Sequence, residues 1–74
     1  MTITKQQLKQ SLRKFYGNSR NLTYAYQTVD AAVEKNWLNL SNVCPAVDGG
    51  YFSFKYVGDK KFECTTTFPE LLKF

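Results

Sequence analysis

The sequence predicts an α+β fold in which an antiparallel helical hairpin packs on a C-terminal β-hairpin, in the order α-α-β-β. Apolar residues recur at helical spacing over the first half of the chain, and a turn signal at residues 17–19 interrupts them. Two strand-like runs follow, around a second turn signal at residues 58–60. The 74 residues are enough for one small domain, 1–74, whose core must use most of the six Phe and five Tyr.

The first helix is predicted to begin after Thr4 and to end before Gly17. Thr4 with Gln7 three residues later is typical of a capping box, and glycine commonly ends a helix. The apolar side of this helix consists of Leu8, Leu12 and Phe15, with Tyr16 beside them. These positions predict an amphipathic helix of about three turns.

The second helix is predicted over residues 20–37. Its buried face would contain Leu22, Ala25, Tyr26, Val29, Ala32, Val33 and Trp37, with Asp30 and Glu34 on the exposed side. Residues 22–26 also alternate as a strand would, but the helical pattern explains more residues over a longer window. A three-residue connection makes the two helices antiparallel.

Residues 38–50 are a long connection, in which a short third strand near 37–43 would support the hairpin. The hairpin strands are predicted at residues 51–57 and 61–67. A three-residue loop places Phe54 opposite Cys64 and Tyr56 opposite Phe62, a better set of pairs than a two-residue loop gives. Residues 68–74 predict a short C-terminal helix, with Thr67 as its cap.

The two cysteines, Cys44 and Cys64, have no metal-type spacing. Because the chain contains no His, a zinc site would need at least two carboxylates, so no metal or other cofactor is expected. A disulfide between the two remains open, although Cys64 lies among strand residues and fits a buried thiol.

Basic charge is concentrated at the amino end. Residues 1–20 contain Lys5, Lys9, Arg13, Lys14 and Arg20 and no acid, whereas the rest of the chain carries five Lys against six acids. Such a patch attracts anions, whether acidic protein faces or phosphate backbones. The alternative interpretation is a solvated helix face that keeps a small protein soluble.

Catalysis is not expected from this composition. Without His, the commonest general base and the Ser-His and Cys-His nucleophile pairs are absent. Asp30 and Glu34, the only close carboxylate pair, are predicted on an exposed helix face. There is no apolar run of about 20 residues and no secretory signal, so we expect no membrane association and a cytoplasmic location.

We therefore expect a small non-enzymatic regulatory or inhibitory protein, a monomer or small homo-oligomer, that binds a macromolecular partner through a basic N-terminal helix. The favoured partner is a protein surface, and one form of this hypothesis has a partner that itself binds nucleic acid. Small chains without catalytic residues are frequent among the accessory proteins of phages and mobile elements. The alternatives are a nucleic-acid-binding module that uses the same helix and a small subunit of a larger assembly. The candidate partner-binding residues are Lys5, Lys9, Arg13, Lys14, Tyr16, Arg20 and Tyr24.

Overall fold

The computed structural model describes residues 1–74 and confirms the α+β fold. Its elements are β1 (Thr2–Thr4), α1 (Lys5–Tyr16), α2 (Arg20–Glu34), β2 (Ser41–Pro45), β3 (Tyr51–Gly58), β4 (Lys61–Thr66) and a short 3-10 helix (Pro69–Leu72). The strands form one antiparallel sheet in the order β1-β4-β3-β2. The helices cover one face of this sheet, and all elements share one hydrophobic core.

Helix α1 begins and ends as its sequence predicts. The Thr4 hydroxyl accepts a hydrogen bond from the Gln7 N–H at 3.2 Å, and the Gln7 side-chain oxygen accepts one from the Thr4 N–H at 3.0 Å. Gly17 ends the helix with a φ of 65°, a conformation that favours glycine. Leu8 and Leu12 are fully buried against the sheet, which confirms the predicted apolar face.

Strand β1 precedes α1 and was not expected. It pairs with β4, so that Ile3 lies opposite Phe62 and is buried, while Thr2 and Thr4 alternate outward. The Lys5 N–H also donates to the Lys60 carbonyl. The sheet edge thus sets the position at which α1 begins.

Helix α2 is confirmed, but it ends three residues earlier than predicted. Asn36 adopts a left-handed conformation with a φ of 49°, and its N–H donates to the Val33 carbonyl. The Trp37 N–H donates to the Ala32 carbonyl, which completes the hydrogen-bond pair of a Schellman motif. Trp37 therefore leaves the predicted buried face and is 54% exposed.

The hairpin of β3 and β4 has the predicted register, but its loop is shorter. Phe54 lies opposite Cys64 and Tyr56 opposite Phe62, on the buried face. Asp59 and Lys60 form the turn with positive φ angles. A bulge between Tyr56 and Gly58 supplies the extra residue, so a two-residue turn produces the register expected of a three-residue loop.

Strand β2 is the third strand, displaced from the predicted position. It occupies Ser41–Pro45 and pairs with β3, so Cys44 lies opposite Phe52 on the buried face. Cys44 and Cys64 are both free and buried. Because β3 lies between their strands, their backbones are about 10 Å apart, which is too far for a disulfide.

The C-terminal 3-10 helix packs against α1 rather than standing free. The Ser11 hydroxyl donates to the Leu71 carbonyl at 2.6 Å, and both residues are buried. The predicted cap was wrong: the Thr67 hydroxyl accepts from the Tyr51 N–H, and the Thr66 hydroxyl accepts from the Phe68 N–H instead. These bonds fold the C-terminal segment over one end of the core.

Truncating Phe62 should destabilise the whole domain. Its ring is fully buried, 4.9 Å from the Tyr56 centroid and 5.9 Å from that of Phe54. We expect Phe62→Ala to lower the free energy of unfolding by about 3–5 kcal/mol in urea titrations. The control, Val43→Ala on the exposed side of β2, should change it by less than about 0.5 kcal/mol. A loss below about 1 kcal/mol for Phe62→Ala would contradict the assigned core.

Candidate partner-binding site

Two of the predicted binding cations lie in the seam between the helices. Asp30 Oδ1 is 3.0 Å from Lys5 Nζ and 2.7 Å from Lys9 Nζ. Lys9 Nζ also lies 5.1 Å from the centroid of the Tyr26 ring, and the Tyr26 hydroxyl donates to the Lys9 carbonyl at 3.1 Å. Lys5 and Lys9, predicted as partner-binding residues, are therefore paired within the protein, and Asp30, predicted on an exposed helix face, is only half exposed.

The two lysines keep the Asp30 carboxylate ionised. Pairing with Lys9, and to a smaller extent with Lys5, lowers the pKa of Asp30 and outweighs the partial desolvation that raises it. Two cations share one anion, so the seam retains a single positive charge over two side chains. Lys5 and Lys9 consequently contribute less free positive charge to a binding surface than their positions in the sequence indicate.

The remaining basic residues of the amino end lie around the turn between the helices. Arg13 and Lys14 are in the last turn of α1, and Arg20 is the first residue of α2. All three are exposed, and no carboxylate lies within 4.0 Å of them. Cations at the C-terminus of α1 also interact favourably with its dipole. We call Arg13, Lys14 and Arg20 the basic end.

Tyr24 lies one helical turn after Arg20 and is 64% exposed. Residues four apart on a helix share a face, so Tyr24 extends the surface of the basic end along α2. Tyrosine and arginine are among the residues that contribute most of the binding energy at protein interfaces.

A groove of about 540 Å³ opens beside the basic end. It is lined by residues 14–16 of α1, Asn21 of α2, Pro45 at the end of β2, residues 46–48 of the β2–β3 loop, and Phe68, Glu70 and Leu71 of the C-terminal segment. Four separate parts of the chain meet here because the helical turn, the β2–β3 loop and the 3-10 helix all lie at the same end of the sheet. We call this the end groove.

Aromatic packing connects the end groove to the core. The Phe15 centroid is 4.9 Å from that of Tyr16, 6.0 Å from that of Phe52 and 6.1 Å from that of Phe68. Val47, at the tip of the β2–β3 loop, is by contrast fully exposed. The groove thus combines a fixed aromatic base with an apolar side chain that has no contact of its own.

The walls of the end groove carry charges of both signs. Lys14 comes from α1, whereas Asp48 comes from the β2–β3 loop and Glu70 from the 3-10 helix. One Asp48 oxygen accepts the Gly50 N–H at 3.0 Å, which fixes the loop, and neither acid forms an ion pair. The groove is therefore bipolar, with the positive charge on its helical side.

The partly buried hydroxyl of Tyr16 and the two buried thiols stay protonated at neutral pH. Burial, with the neighbouring Cys44 thiol, raises the pKa of Tyr16 far above its usual value. Burial also raises the pKa of Cys44, and it raises that of Cys64 to about 12. Thiols that remain protonated at neutral pH are poor nucleophiles, so this arrangement favours packing and hydrogen bonding over covalent chemistry.

The structure brings part of the predicted site together. Lys14 and Tyr16 line the end groove, Arg13 and Arg20 adjoin it, and Tyr24 lies one turn further along α2. Sequence reasoning missed the other side of the groove, Val47, Asp48, Phe68 and Glu70, because it treated residues 46–50 as part of a connection and residues 68–74 as a short C-terminal helix. The turn residues 48–50 were a signal for a loop, but no local pattern shows which element that loop faces.

Trp37 and Leu38 form a separate exposed pair, 54% and 53% exposed, beyond the C-terminus of α2. Helix α2 has 15 residues, so they lie about 20 Å from the basic end along its axis. The prediction that Trp37 lies on the buried face of the helix was wrong, and its distance from the basic end keeps it outside the candidate site.

The chain matches no protein family model, no curated protein and no solved structure. No three His, Cys, Asp or Glu side chains are grouped closely enough to hold a metal ion. None of the helices has the length and apolar character needed to cross a membrane.

Replacing Asp30 should reveal a pH-dependent contribution to stability. Because the folded pKa of Asp30 lies below its unfolded value of about 3.9, the stabilisation is present above pH ~4 and is lost as the pH falls through the folded pKa. The carboxylate is half exposed, so Asp30→Asn should lower the free energy of unfolding at pH 7 by no more than about 1 kcal/mol.

Urea titrations of wild type and Asp30→Asn at several pH values measure this difference, which should disappear in strong acid. Glu34→Gln, an exposed carboxylate on the same helix without an ion pair, is the matched control and should have little effect. A difference between wild type and Asp30→Asn that does not vary with pH would contradict the pairing.

Proposed function

We propose that the protein is a non-enzymatic regulator or inhibitor that acts by binding the surface of a partner protein through its basic end and end groove. One observation carries this proposal: a groove with an apolar base, lined by Lys14, lies at the same end of the molecule as Arg13 and Arg20, and none of these three cations forms an ion pair. Protein interfaces combine aromatic residues and arginine in this way, with apolar pockets that anchor side chains. Complementary charge around the pocket accelerates the encounter.

The groove walls favour a protein over a nucleic acid. A phosphate backbone would gain from Arg13, Lys14 and Arg20, but it would be repelled by Asp48 and Glu70 beside them. A protein surface carries charges of both signs and can match this pattern. The alternative, a nucleic-acid-binding module, is supported by the absence of any acid in the first 20 residues.

Reversing the charge of the basic end should abolish partner binding. The tagged protein would capture its partner from the cells that naturally contain it, and the partner would be identified by mass spectrometry and purified. We expect Arg13→Glu with Arg20→Glu to weaken its affinity at least about tenfold, because two attractive contacts become repulsive. Calorimetric titration measures the dissociation constants.

The matched control is Lys35→Glu with Lys61→Glu, which makes the same change in net charge at exposed positions away from the basic end. It should bind as wild type does, and circular dichroism checks that both variants fold. Equal weakening by the two variants, or no reproducible partner, would contradict the proposal.

A mobility-shift assay at about 50 mM salt tests the alternative function, a nucleic-acid-binding module. Single- and double-stranded DNA and RNA would be tested, because phosphate binding weakens steeply as salt rises. Salt-sensitive binding that the Arg13→Glu and Arg20→Glu variant loses would favour the nucleic-acid module, and no binding would eliminate it.

A further inference from the structure

The end groove has a polarity that the proposed function does not by itself require. Its base is apolar, formed by side chains such as Phe15, Phe68 and Leu71. Lys14 supplies positive charge from α1, and Arg13 and Arg20 add to it from outside the groove. Asp48 and Glu70 supply negative charge from two other elements. A ligand that fits all three features must itself carry an apolar group between opposite charges.

Resting on the proposed function, we infer that the end groove binds a segment of the partner protein in which an apolar side chain lies between an acidic and a basic residue. The acidic residue would pair with Lys14, and the basic residue would pair with Glu70, because one Asp48 oxygen already accepts the Gly50 N–H. A peptide is the occupant because few other ligands present an apolar group between two opposite charges at adjustable spacing.

The size and exposure of the groove suit such a segment. At about 540 Å³ it lies within the range of about 300–1,000 Å³ typical of ligand pockets. That volume is sufficient for one large side chain with its neighbouring backbone. Val47 is fully exposed at the loop tip and would gain an apolar contact when a segment occupies the groove.

Contacts within the protein hold the walls of the groove in place before any ligand binds. Phe15 is held by three aromatic neighbours, and the Ser11 hydrogen bond to the Leu71 carbonyl fixes the 3-10 helix against α1. The Asp48 contact to the Gly50 N–H fixes the loop. A site whose walls are already in place loses less conformational entropy when it binds.

A charge swap tests the inference. A phage-displayed library of random twelve-residue peptides would be selected on the full chain, and the most enriched peptide would be synthesised together with a version whose acidic and basic residues are exchanged. Lys14→Glu with Glu70→Lys exchanges the charges at the two proposed contact positions without changing the net charge. We expect this variant to lose at least about tenfold affinity for the selected peptide and to regain it for the exchanged one.

The inference is overturned if no peptide is enriched, if the enriched peptides lack the apolar residue or either charge, or if exchange does not rescue the variant. If the wild-type protein forms a dimer and the variant with Lys14→Glu and Glu70→Lys is a monomer, the groove binds a second copy of the chain. That result would also overturn the inference. Arg13 and Arg20 do not line the groove. A natural partner that requires them but tolerates the swap would therefore support the proposed function and contradict only this inference.

Discussion

The burial of the aromatic face of the sheet under the two helices is the interaction on which the rest of the structure depends. Phe52, Phe54 and Phe62 are almost fully excluded from solvent, and α1 and α2 supply the apolar side chains that cover them. A two-stranded hairpin is marginal alone, and an amphipathic helix needs a surface for its apolar face. Their mutual burial fixes the helices across the sheet. It thereby places the α1–α2 turn, the β2–β3 loop and the C-terminal segment at one end, where the groove forms.

Electrostatics then decides which part of this surface is available to a partner. Asp30 holds Lys5 and Lys9 in the helical seam, so the basic excess of the amino end is not distributed along the whole of α1. Among the first 20 residues, the basic side chains without an ion pair lie around the turn between the helices. The helix pairing thus supports the fold, and it leaves only Arg13, Lys14 and Arg20 unpaired among the basic side chains of the first 20 residues. Without Asp30 the charge would extend along a helix face, an arrangement better suited to phosphate backbones.

Local sequence patterns predicted the helices and strands better than they predicted the contacts between distant parts of the chain. The capping box at Thr4, the buried faces of the helices and the strand register all follow from short-range spacing, and the structure confirms them. The end of α2 was missed because Asn36 was not considered as a left-handed helix stop, although asparagine is the next most suitable residue after glycine. The pairing of Lys5 and Lys9 with Asp30 and the far wall of the groove depend on contacts between distant parts of the chain. Helical periodicity does not determine those contacts.

The central claim is that the protein binds its partner with the basic end (Arg13, Lys14 and Arg20) and the end groove. Chemical-shift mapping of the isotope-labelled protein in complex with the captured partner tests it most directly. The account predicts that the largest changes occur at Lys14, Tyr16 and Val47, while the exposed face of the sheet around Lys55 and Thr65 stays unchanged. Changes centred on that sheet face, or on Trp37 at the far end of α2, would contradict it.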